Sequence, residues 1–225
     1  MLSAAQHEAV TSEAARPLQI LAGPGSGKTR VLTSRVAHLV RDSAAPIAPE
    51  RCVVVTFTNR AANEMRARLE TMIGADRTRR LVLGTFHAVC VRFLRRWGTR
   101  LGLDPRFTIA DTDDARRLLR DVDRDAPVDA TLAAISRAKA HGWTPDELRA
   151  SAQHAPGSPA HTEHLALCRT YAAYQQQLRT SHALDFDDLL LLGVRLFREH
   201  PELTSHLDHV LVAEFQDTNA VQYEL

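Results

Sequence analysis

The residues best suited to chemistry form one glycine-rich stretch, Ala22-Gly23-Pro24-Gly25-Ser26-Gly27-Lys28-Thr29. It lies between an apolar run at residues 18–21 and a helical pattern at residues 30–40, which is the order strand, tight turn, helix. Glycines adopt backbone angles closed to other residues, so successive N–H groups can turn inward onto phosphate oxygens at a helix N-terminus. The Lys28 ammonium can reach the β- and γ-phosphates of a nucleotide, and the Thr29 hydroxyl can bind Mg²⁺. The stretch predicts a phosphate-binding loop, with Ala22 at a position that often holds glycine.

Lysine is rare in this chain, which makes its place in the loop informative. Lys28 and Lys139 are the only lysines, and every other permanently cationic side chain is arginine. A compact ammonium on a flexible stem fits between phosphate groups where a planar guanidinium does not. The lysine at position 28 therefore favours the phosphate-binding interpretation.

The composition is ordinary for a globular protein, with 44% hydrophobic and 24% charged residues in a chain of 225. That length fits one sizeable domain or two small ones. A formal net charge of +1 means that any contact with nucleic acid needs a local basic face.

Three scattered cysteines without a C-x-x-C pair indicate a reducing compartment rather than a disulfide framework or a zinc site. No apolar stretch approaches the roughly 20 residues of a membrane span. With no signal peptide visible, we expect an intracellular protein without a membrane partner, nuclear in a eukaryote and cytoplasmic in a bacterium.

Strand and helix patterns alternate three times in the first hundred residues. We predict strands at residues 18–21, 52–57 and 81–84, each followed by an amphipathic helix. This alternation is typical of a doubly wound α/β domain with a parallel sheet. A short helix at residues 2–10, capped by Ser3, precedes the first strand.

The pattern changes to helix alone between residues 111 and 180. We predict helices at residues 114–122, 130–140 and 165–178, a helix start at Thr144 and a surface loop at residues 154–162. A helix at residues 189–198 and a fourth buried strand at residues 209–213 follow, and that strand would return to the first sheet. The helical block is therefore predicted to be an insertion in the α/β domain.

Several stretches occur together in an order that carries more information than any one of them. They are, in chain order, Leu2-x-x-x-Gln6; Ala22 to Thr29 with Arg30; Thr56-Phe57-Thr58-Asn59-Arg60-Ala61-Ala62-x-Glu64-Met65; Gly84-Thr85-Phe86-His87; Leu184-Asp185-Phe186-Asp187-Asp188-Leu189; and Glu214-Phe215-Gln216-Asp217-Thr218-Asn219. From Leu2 to Gln222 the chain closely resembles the N-terminal half of the UvrD/Rep/PcrA-like superfamily 1 DNA helicases. The phosphate-binding loop alone is shared with many ATPases and kinases, whereas the third and last strings are far more specific.

The resemblance implies a fold and a set of partners. It implies a P-loop RecA-like ATP-binding domain at residues 1–103 and 184–225, interrupted by a helical subdomain at residues 104–183 that helps to engage duplex DNA. The implied cofactors are ATP and Mg²⁺, and the implied partners are single-stranded and forked DNA and a second RecA-like domain. The implied activity is ATP-dependent unwinding of DNA in repair or recombination, with 3′-to-5′ polarity resting on the family alone.

The resemblance also assigns roles to residues. Gln6 and Arg30 would contact the adenine, while the loop from Ala22 through Gly23, Pro24, Gly25, Ser26 and Gly27 to Lys28 and Thr29 would hold the phosphates and Mg²⁺. Glu214 would orient the attacking water, and Gln216 would sense the γ-phosphate, which makes Lys28, Glu214 and Gln216 the catalytic set. Six residues would follow a single DNA strand: Thr56, Phe57, Asn59, Thr85, Phe86 and His87.

Other interpretations of these residues remain open on the sequence alone. Phe57 follows a buried strand, so a core aromatic is the alternative to base stacking. The spacing of Asp185, Asp187 and Asp188 resembles that of a metal-binding cluster, but an acidic helix N-terminus explains it more simply. The spacings His161-x-x-His164 and His206-x-x-His209 lack the cysteine or acidic ligands that a zinc site needs.

The sequence departs from the family pattern in two respects. The family has aspartate before the glutamate at the end of the fourth strand, where this chain has Ala213, so we expect nucleotide binding with poor hydrolysis. The chain ends at Leu225 without the second RecA-like domain, so we expect no unwinding by this chain alone. A catalytically weak nucleotide- and DNA-binding module is therefore the alternative to an active motor half, and a small-molecule kinase is disfavoured by the DNA-related strings.

Overall fold

The computed structural model describes residues 2–13, 17–152 and 157–225, and it shows a mixed fold of helices and strands with a parallel sheet. The chain packs as two compact units, which we call the first and the second unit. The first unit runs up to Val89 and includes Pro201–Asp217, and the second contains Cys90–His200 and Thr218–Leu225. Within the described residues, no helix has the length and apolar character needed to cross a membrane.

The strands of the described residues are β1 (Cys52–Thr56), β2 (Val82–Thr85), β3 (Thr108–Ile109), β4 (Ala183–Leu184) and β5 (His209–Val212). The helices are α1 (Ala4–Thr11), α2 (Lys28–Ala37), α3 (Asn59–Ile73), α4 (Ala75–Arg80), α5 (Phe86–Trp97), α6 (Thr112–Val122), α7 (Val128–Ala140), α8 (Pro145–Ala150), α9 (Pro159–Thr180), α10 (Phe186–Glu199) and α11 (Ala220–Glu224). A π-helical turn at His38–Asp42 extends α2. Short 3₁₀ turns lie at Pro49–Arg51, Gly98–Leu101, Pro201–Leu203 and Phe215–Asp217.

The sheet of the first unit contains three parallel strands in the order β2-β1-β5. Its central strand β1 pairs with a strand on each side and is buried along its whole length, as expected for an apolar β-branched run in a parallel sheet. Val54, Met65 and Leu69 belong to the apolar core that joins this sheet to α2 and α3. This core fixes the strand ends from which the predicted DNA-contacting and catalytic residues emerge.

The prediction of a strand at residues 18–21 is wrong. Residues 17–23 form no strand, and Leu18, Ile20 and Leu21 are 46%, 38% and 85% exposed. An apolar run supplies strand propensity, but a strand also needs a neighbour to accept and donate its backbone hydrogen bonds. None of the described strands pairs with this segment, so it remains outside the sheet.

The strand β5 was predicted to be buried, and this is also wrong. Residue Val210 at its centre is 63% exposed, and the strand pairs on one side only, with β1. The sheet therefore has β5 as an edge strand and contains three strands rather than the predicted four. The position of β5 along the chain matches the prediction to within one residue.

The second unit is built from helices around the core residues Leu119, Ile135, Tyr171 and Tyr174. A parallel pair of two-residue strands, β3 and β4, joins the start of this helical block to its end. The helix α9 begins at Pro159 with Ser158 as its cap, so the predicted loop at residues 154–162 is wrong from Pro159 onward. Its portion at residues 154–156 lies outside the described residues.

Candidate nucleotide and nucleic-acid site

The glycine-rich loop lies exposed in front of the helix α2. Residues 21–26 are exposed, and Gly27 is the N-cap of α2 with a φ of +88°, while Gly25 has a φ of +73°. These left-handed angles favour glycine and let the chain turn sharply into the helix. The Lys28 ammonium donates to the carbonyl oxygen of Ala22 at 3.0 Å, so it lies over the loop. A half-exposed ammonium with one carbonyl partner can exchange that partner for a phosphate oxygen at little cost.

The structure brings Gln6 against this loop. The Gln6 Nε2 atom donates to the carbonyl oxygen of Ser26 at 2.9 Å, and its Oε1 atom accepts from the N–H of Ser3 at 2.9 Å. The second bond belongs to a capping box that starts α1, as the sequence predicted for Ser3. A Cβ atom at Gly27 would lie 3.1 Å from Gln6 Nε2, so the glycine makes room for this contact. Arg30, the other residue predicted to contact adenine, is exposed in the first turn of α2.

The ends of the three strands lie level with one another at one edge of the sheet. Thr56 pairs with Thr85, and Val55 pairs with Val212, so the chain leaves all three strands at their carboxyl ends in register. In open parallel sheets this edge is where ligands bind. The residues that follow, Phe57, Phe86 and Ala213, are therefore placed along the same edge.

The six residues predicted to follow a DNA strand divide into two groups. Asn59 is exposed, and Phe57 and His87 are half-buried, so these three reach the surface. The others are buried, with exposures of 1% for Thr56, 8% for Thr85 and 5% for Phe86. Strand ends of a parallel sheet covered on both faces bury their own side chains, which the strings of the sequence do not reveal.

The three buried residues hold the turns that carry the exposed ones. The Thr56 hydroxyl donates to the carbonyl oxygen of Thr58 at 3.0 Å, and the Thr85 hydroxyl accepts from the N–H of Ala88 at 3.2 Å. The rings of Phe57 and Phe86 meet edge to face, with centroids 5.4 Å apart and planes at 65°. Phe86 therefore supports the Phe57 ring from the protein side.

Beyond β5 the chain makes a strained turn at the predicted catalytic residues. Glu214 has a φ of +53°, a left-handed angle that costs a non-glycine residue roughly 1–3 kcal/mol. The Gln216 Nε2 atom donates to Glu214 Oε2 at 2.8 Å and more weakly to Asp217 Oδ2 at 3.4 Å. All three side chains are exposed, so the pair of Glu214 and Gln216 is open to a ligand.

Ala213 stands where the family pattern has aspartate. Its N–H donates to the carbonyl oxygen of Val55 at 2.9 Å, which prolongs the pairing of β5 with β1. Its methyl group packs against the apolar core of the first unit. A methyl group ligates no cation, so this position cannot supply the Mg²⁺ ligand that the family pattern has here, and Thr29 stays the ligand predicted from this chain.

No group of three or more His, Cys, Asp or Glu side chains in the described residues is arranged to hold a metal ion. In the His161-x-x-His164 stretch, a ring nitrogen of His164 bonds the carbonyl oxygen of Leu148 at 2.9 Å. The three cysteines are free and buried, and burial raises the pKa of the Cys52 and Cys90 thiols to about 12.

The acidic cluster after β4 has a partner that the sequence analysis missed. The fully buried Lys139 ammonium donates to Asp185 Oδ2 at 2.6 Å and to Asp188 Oδ1 at 2.8 Å. The two aspartates also form the capping box that starts α10, which confirms the interpretation as an acidic helix start. Burial raises the pKa of Asp188, against the opposing effect of the Lys139 charge. This cluster belongs to the second unit and is already saturated with partners.

Comparisons with known proteins identify what the chain is similar to. The sequence profile of the UvrD/REP helicase N-terminal domain matches residues 2–225. A relative from Leuconostoc citreum, named ATP-dependent DNA helicase PcrA, is 40% identical over 220 residues, which is 93% of this chain and 28% of the relative. Relatives of the same name from Staphylococcus epidermidis and Staphylococcus aureus are each 38% identical, covering 100% and 98% of this chain and 31% and 30% of their own lengths. The chain thus spans less than a third of the length of these relatives.

Proposed function

Because the chain belongs to the UvrD/REP helicase N-terminal domain family, we propose that it is the ATP-binding motor half of an ATP-dependent DNA helicase. The observation that carries the proposal is the exposed glycine loop, with the Lys28 ammonium over it and Gln6 fixed against its backbone. We further propose that the sheet is the RecA-like core at residues 1–103 and 184–225 and that residues 104–183 are the inserted subdomain. The relatives come from bacteria, so the proposed setting is the bacterial cytoplasm.

The proposed nucleotide contacts use groups that are within reach of the loop. The loop leads into the N-terminus of α2, where backbone N–H groups without partners inside the helix attract anions. Lys28 releases Ala22 to bind a phosphate oxygen, while Gln6 and Arg30 take the base. The Thr29 hydroxyl would be the ligand from this chain for Mg²⁺, which would neutralise charge on the phosphates. Glu214 orients the attacking water, and Gln216 holds that carboxylate in place.

The proposed DNA track is the surface formed by Phe57, Asn59 and His87. A base stacked on the Phe57 ring gains roughly 1–3 kcal/mol of binding free energy, and Phe86 keeps that ring from turning away. Stacking needs no particular base, which suits a protein that moves along DNA. Thr56, Thr85 and Phe86 act through the turns they hold, since their own side chains are buried.

A catalytically weak binding module is the second candidate, and the methyl group of Ala213 favours it. We propose that nucleotide binds while hydrolysis is slow, because no carboxylate stands before Glu214. The test is the steady-state ATPase rate with single-stranded DNA, for the natural chain and for Ala213→Asp. A rate that rises in Ala213→Asp supports the proposal, and brisk turnover by the natural chain contradicts it. Thermal unfolding of both proteins is the control, since the new carboxylate lies beside an apolar core.

Binding measurements separate the motor half from other nucleotide-binding proteins. A fluorescent ATP analogue should bind the natural chain and bind Lys28→Ala about 10- to 150-fold more weakly. Single-stranded DNA should bind roughly 5- to 150-fold more weakly to Phe57→Ala. Phe57→Leu is the matched control, because it keeps an apolar side chain and removes only the aromatic face. A small-molecule kinase would bind the nucleotide and ignore the DNA in every variant.

Unwinding is proposed for the whole helicase rather than for this chain alone. A second RecA-like domain would close over the nucleotide and complete the DNA track, and forked DNA in repair or recombination is the proposed substrate, unwound 3′ to 5′. We therefore expect no product from this chain in a strand-displacement assay. Displaced strand in that assay would contradict the proposal that unwinding needs the second RecA-like domain.

A further inference from the structure

The buried arginine of α2 has backbone carbonyls as its hydrogen-bond partners. Arg35 is 7% exposed, and its Nη1 atom donates to the carbonyl oxygens of Val10 at 2.9 Å and Ser12 at 2.8 Å, with a longer contact of 3.4 Å to Ala9. In the described part of the chain it makes no ion pair. Burial lowers the pKa of Arg35. A buried cation without a carboxylate is costly, so its place needs an explanation.

The three carbonyls lie at the C-terminal end of α1. The last carbonyls of a helix lack partners within the helix and carry the negative end of its dipole, so a cation there is stabilising. The helix α1 has eight residues, with no basic residue in its own last turn. A helix this short is unstable alone. The Ser12 hydroxyl donates to the carbonyl oxygen of Ala9 at 3.2 Å, and Arg35 supplies the charged donor for the carbonyl oxygens of Val10 and Ser12.

The other end of α1 carries Gln6. There the side chain of Gln6 bonds the carbonyl oxygen of Ser26 in the phosphate-binding loop. The helix α1 is therefore hydrogen-bonded at both ends, through Gln6 to the loop and through Arg35 to α2, the helix that follows the loop. Arg35 follows Lys28 by seven residues on α2, which is about two turns, so both side chains project from the same side of that helix.

We propose that Arg35 is a positioning residue for nucleobase recognition: it fixes α1 so that Gln6 is held at the edge of the phosphate-binding loop. The inference rests on the proposed contact of Gln6 with adenine. Loss of Arg35 releases the C-terminal end of α1, so the Gln6 side chain is no longer held in one position. The phosphate-contacting groups of the loop, with Lys28 and Thr29, stay in place. The consequence is specific, since recognition of the base weakens while recognition of the phosphates stays.

The test is competition of ATP, GTP and inorganic tripolyphosphate against a fluorescent ATP analogue. In Arg35→Met, the affinity for ATP should fall roughly 3- to 30-fold, the range expected for a cation at a helix C-terminus. The affinity for tripolyphosphate should change less than about twofold, and the preference for ATP over GTP should approach that of Gln6→Ala. Arg66→Met is the matched control, because Arg66 also donates to a backbone carbonyl, that of Leu83 at 3.1 Å, without touching α1.

The outcomes separate this inference from the proposal on which it rests. If the natural chain and Gln6→Ala discriminate equally poorly between ATP and GTP, the role of Gln6 fails. If Gln6→Ala loses the preference while Arg35→Met keeps it, or if tripolyphosphate affinity falls as far as ATP affinity, the role of Arg35 is overturned. Should Arg35→Met not fold, Arg35→Lys and Arg35→Gln decide. The preference for ATP over GTP must decrease from the natural chain to Arg35→Lys and again to Arg35→Gln. An equal preference in all three proteins contradicts the inference.

Discussion

Around Lys28 the chain leaves an ammonium group half-exposed with one backbone carbonyl as its partner, whereas around Lys139 it buries an ammonium group completely between two carboxylates. Both side chains end in the same compact ammonium group, which is strongly hydrated in water. In the first region that group keeps its hydration and remains free to change partners. In the second it has lost its water, and two carboxylates and two aromatic rings surround it instead.

The replacement around Lys139 is thorough. Two aspartates accept from its ammonium group, and the rings of Tyr174 and Tyr171 lie with their centroids 5.5 and 5.8 Å from Nζ. The Tyr174 hydroxyl donates to Asp185 at 3.1 Å, and the Gln175 amide donates to Asp188 at 3.1 Å. A buried charge is tolerated when all of its partners are present and becomes costly when one is removed. The difference between the two regions is therefore between an ammonium group that we propose to bind a ligand and an ammonium group that stabilises the fold.

The largest expected effect is the loss of stability on replacing Lys139. We expect Lys139→Met to lower the free energy of unfolding by about 3–5 kcal/mol, because two carboxylates are left buried without their cation. The same change at Lys28 should cost under about 0.5 kcal/mol, since the side chain is half-exposed and makes one hydrogen bond. Urea unfolding of the two variants and the natural chain measures both values.

A compensated variant sharpens this result. Adding Asp185→Asn and Asp188→Asn to Lys139→Met removes the uncompensated charges, so part of the lost stability should return. If the triple variant is less stable than Lys139→Met alone, the cost lies in packing rather than in charge. Equal stability losses at Lys28 and Lys139 would remove the contrast between the two regions.

The second effect is on ligand binding, where we expect the larger loss at Lys28 and the smaller loss at Lys139. We expect Lys28→Met to weaken binding of an ATP analogue by about 10- to 150-fold, the equivalent of about 1.5–3 kcal/mol for hydrogen bonds to a charged group. Lys139→Met, studied at a temperature where it stays folded, should bind the analogue within about twofold of the natural chain. Fluorescence titration gives both affinities. A matching loss in Lys139→Met would mean that the second region also serves the nucleotide.

Much of the local structure follows from the sequence because it is decided by short-range rules. The helix starts at Ser3 and Thr144 were predicted from side chains that can accept from a backbone N–H of the first turn, and the structure confirms both. The strand β1 was predicted to within one residue, because a β-branched run flanked by turn residues has few other solutions.

The failures concern features that depend on distant partners. The segment at residues 18–21 has the composition of a strand, yet pairing is settled by a neighbour that the local pattern cannot supply. Arg35 and Lys139 are buried although charged residues are usually exposed, and each is held by groups far along the chain. Only Arg35 carried a sequence signal, since it shares a helix face with Val31 and Leu39 at spacings of four.

The third prediction is a pH dependence confined to the Lys139 region. Burial raises the pKa of Asp188, and loss of the Lys139 charge raises it further. A folded state with the higher pKa binds more protons than the unfolded state, so Lys139→Met gains stability as the pH falls through that pKa, and the gain is complete below the unfolded value. The stability gap to the natural chain should narrow by at most about 1.4 kcal/mol per pH unit between pH 8 and pH 5. Urea unfolding across this range measures the gap. Adding Asp188→Asn should abolish the trend, and a gap that widens toward low pH would contradict it.

The smallest expected effect tests how completely the Lys139 region is saturated. The Gln175 amide donates to Asp188, but its Oε1 atom is buried without a hydrogen-bond partner among the described residues. Gln175→Leu removes one charge-assisted hydrogen bond, which costs stability, and one unsatisfied oxygen, which restores it. We therefore expect a net change in unfolding free energy within about 1 kcal/mol, against the several kcal/mol expected for Lys139→Met. If Gln175→Leu proves as costly as Lys139→Met, the amide is an essential partner of the buried charges. The stability of the region would then reside in the whole network of donors rather than in its one ammonium group.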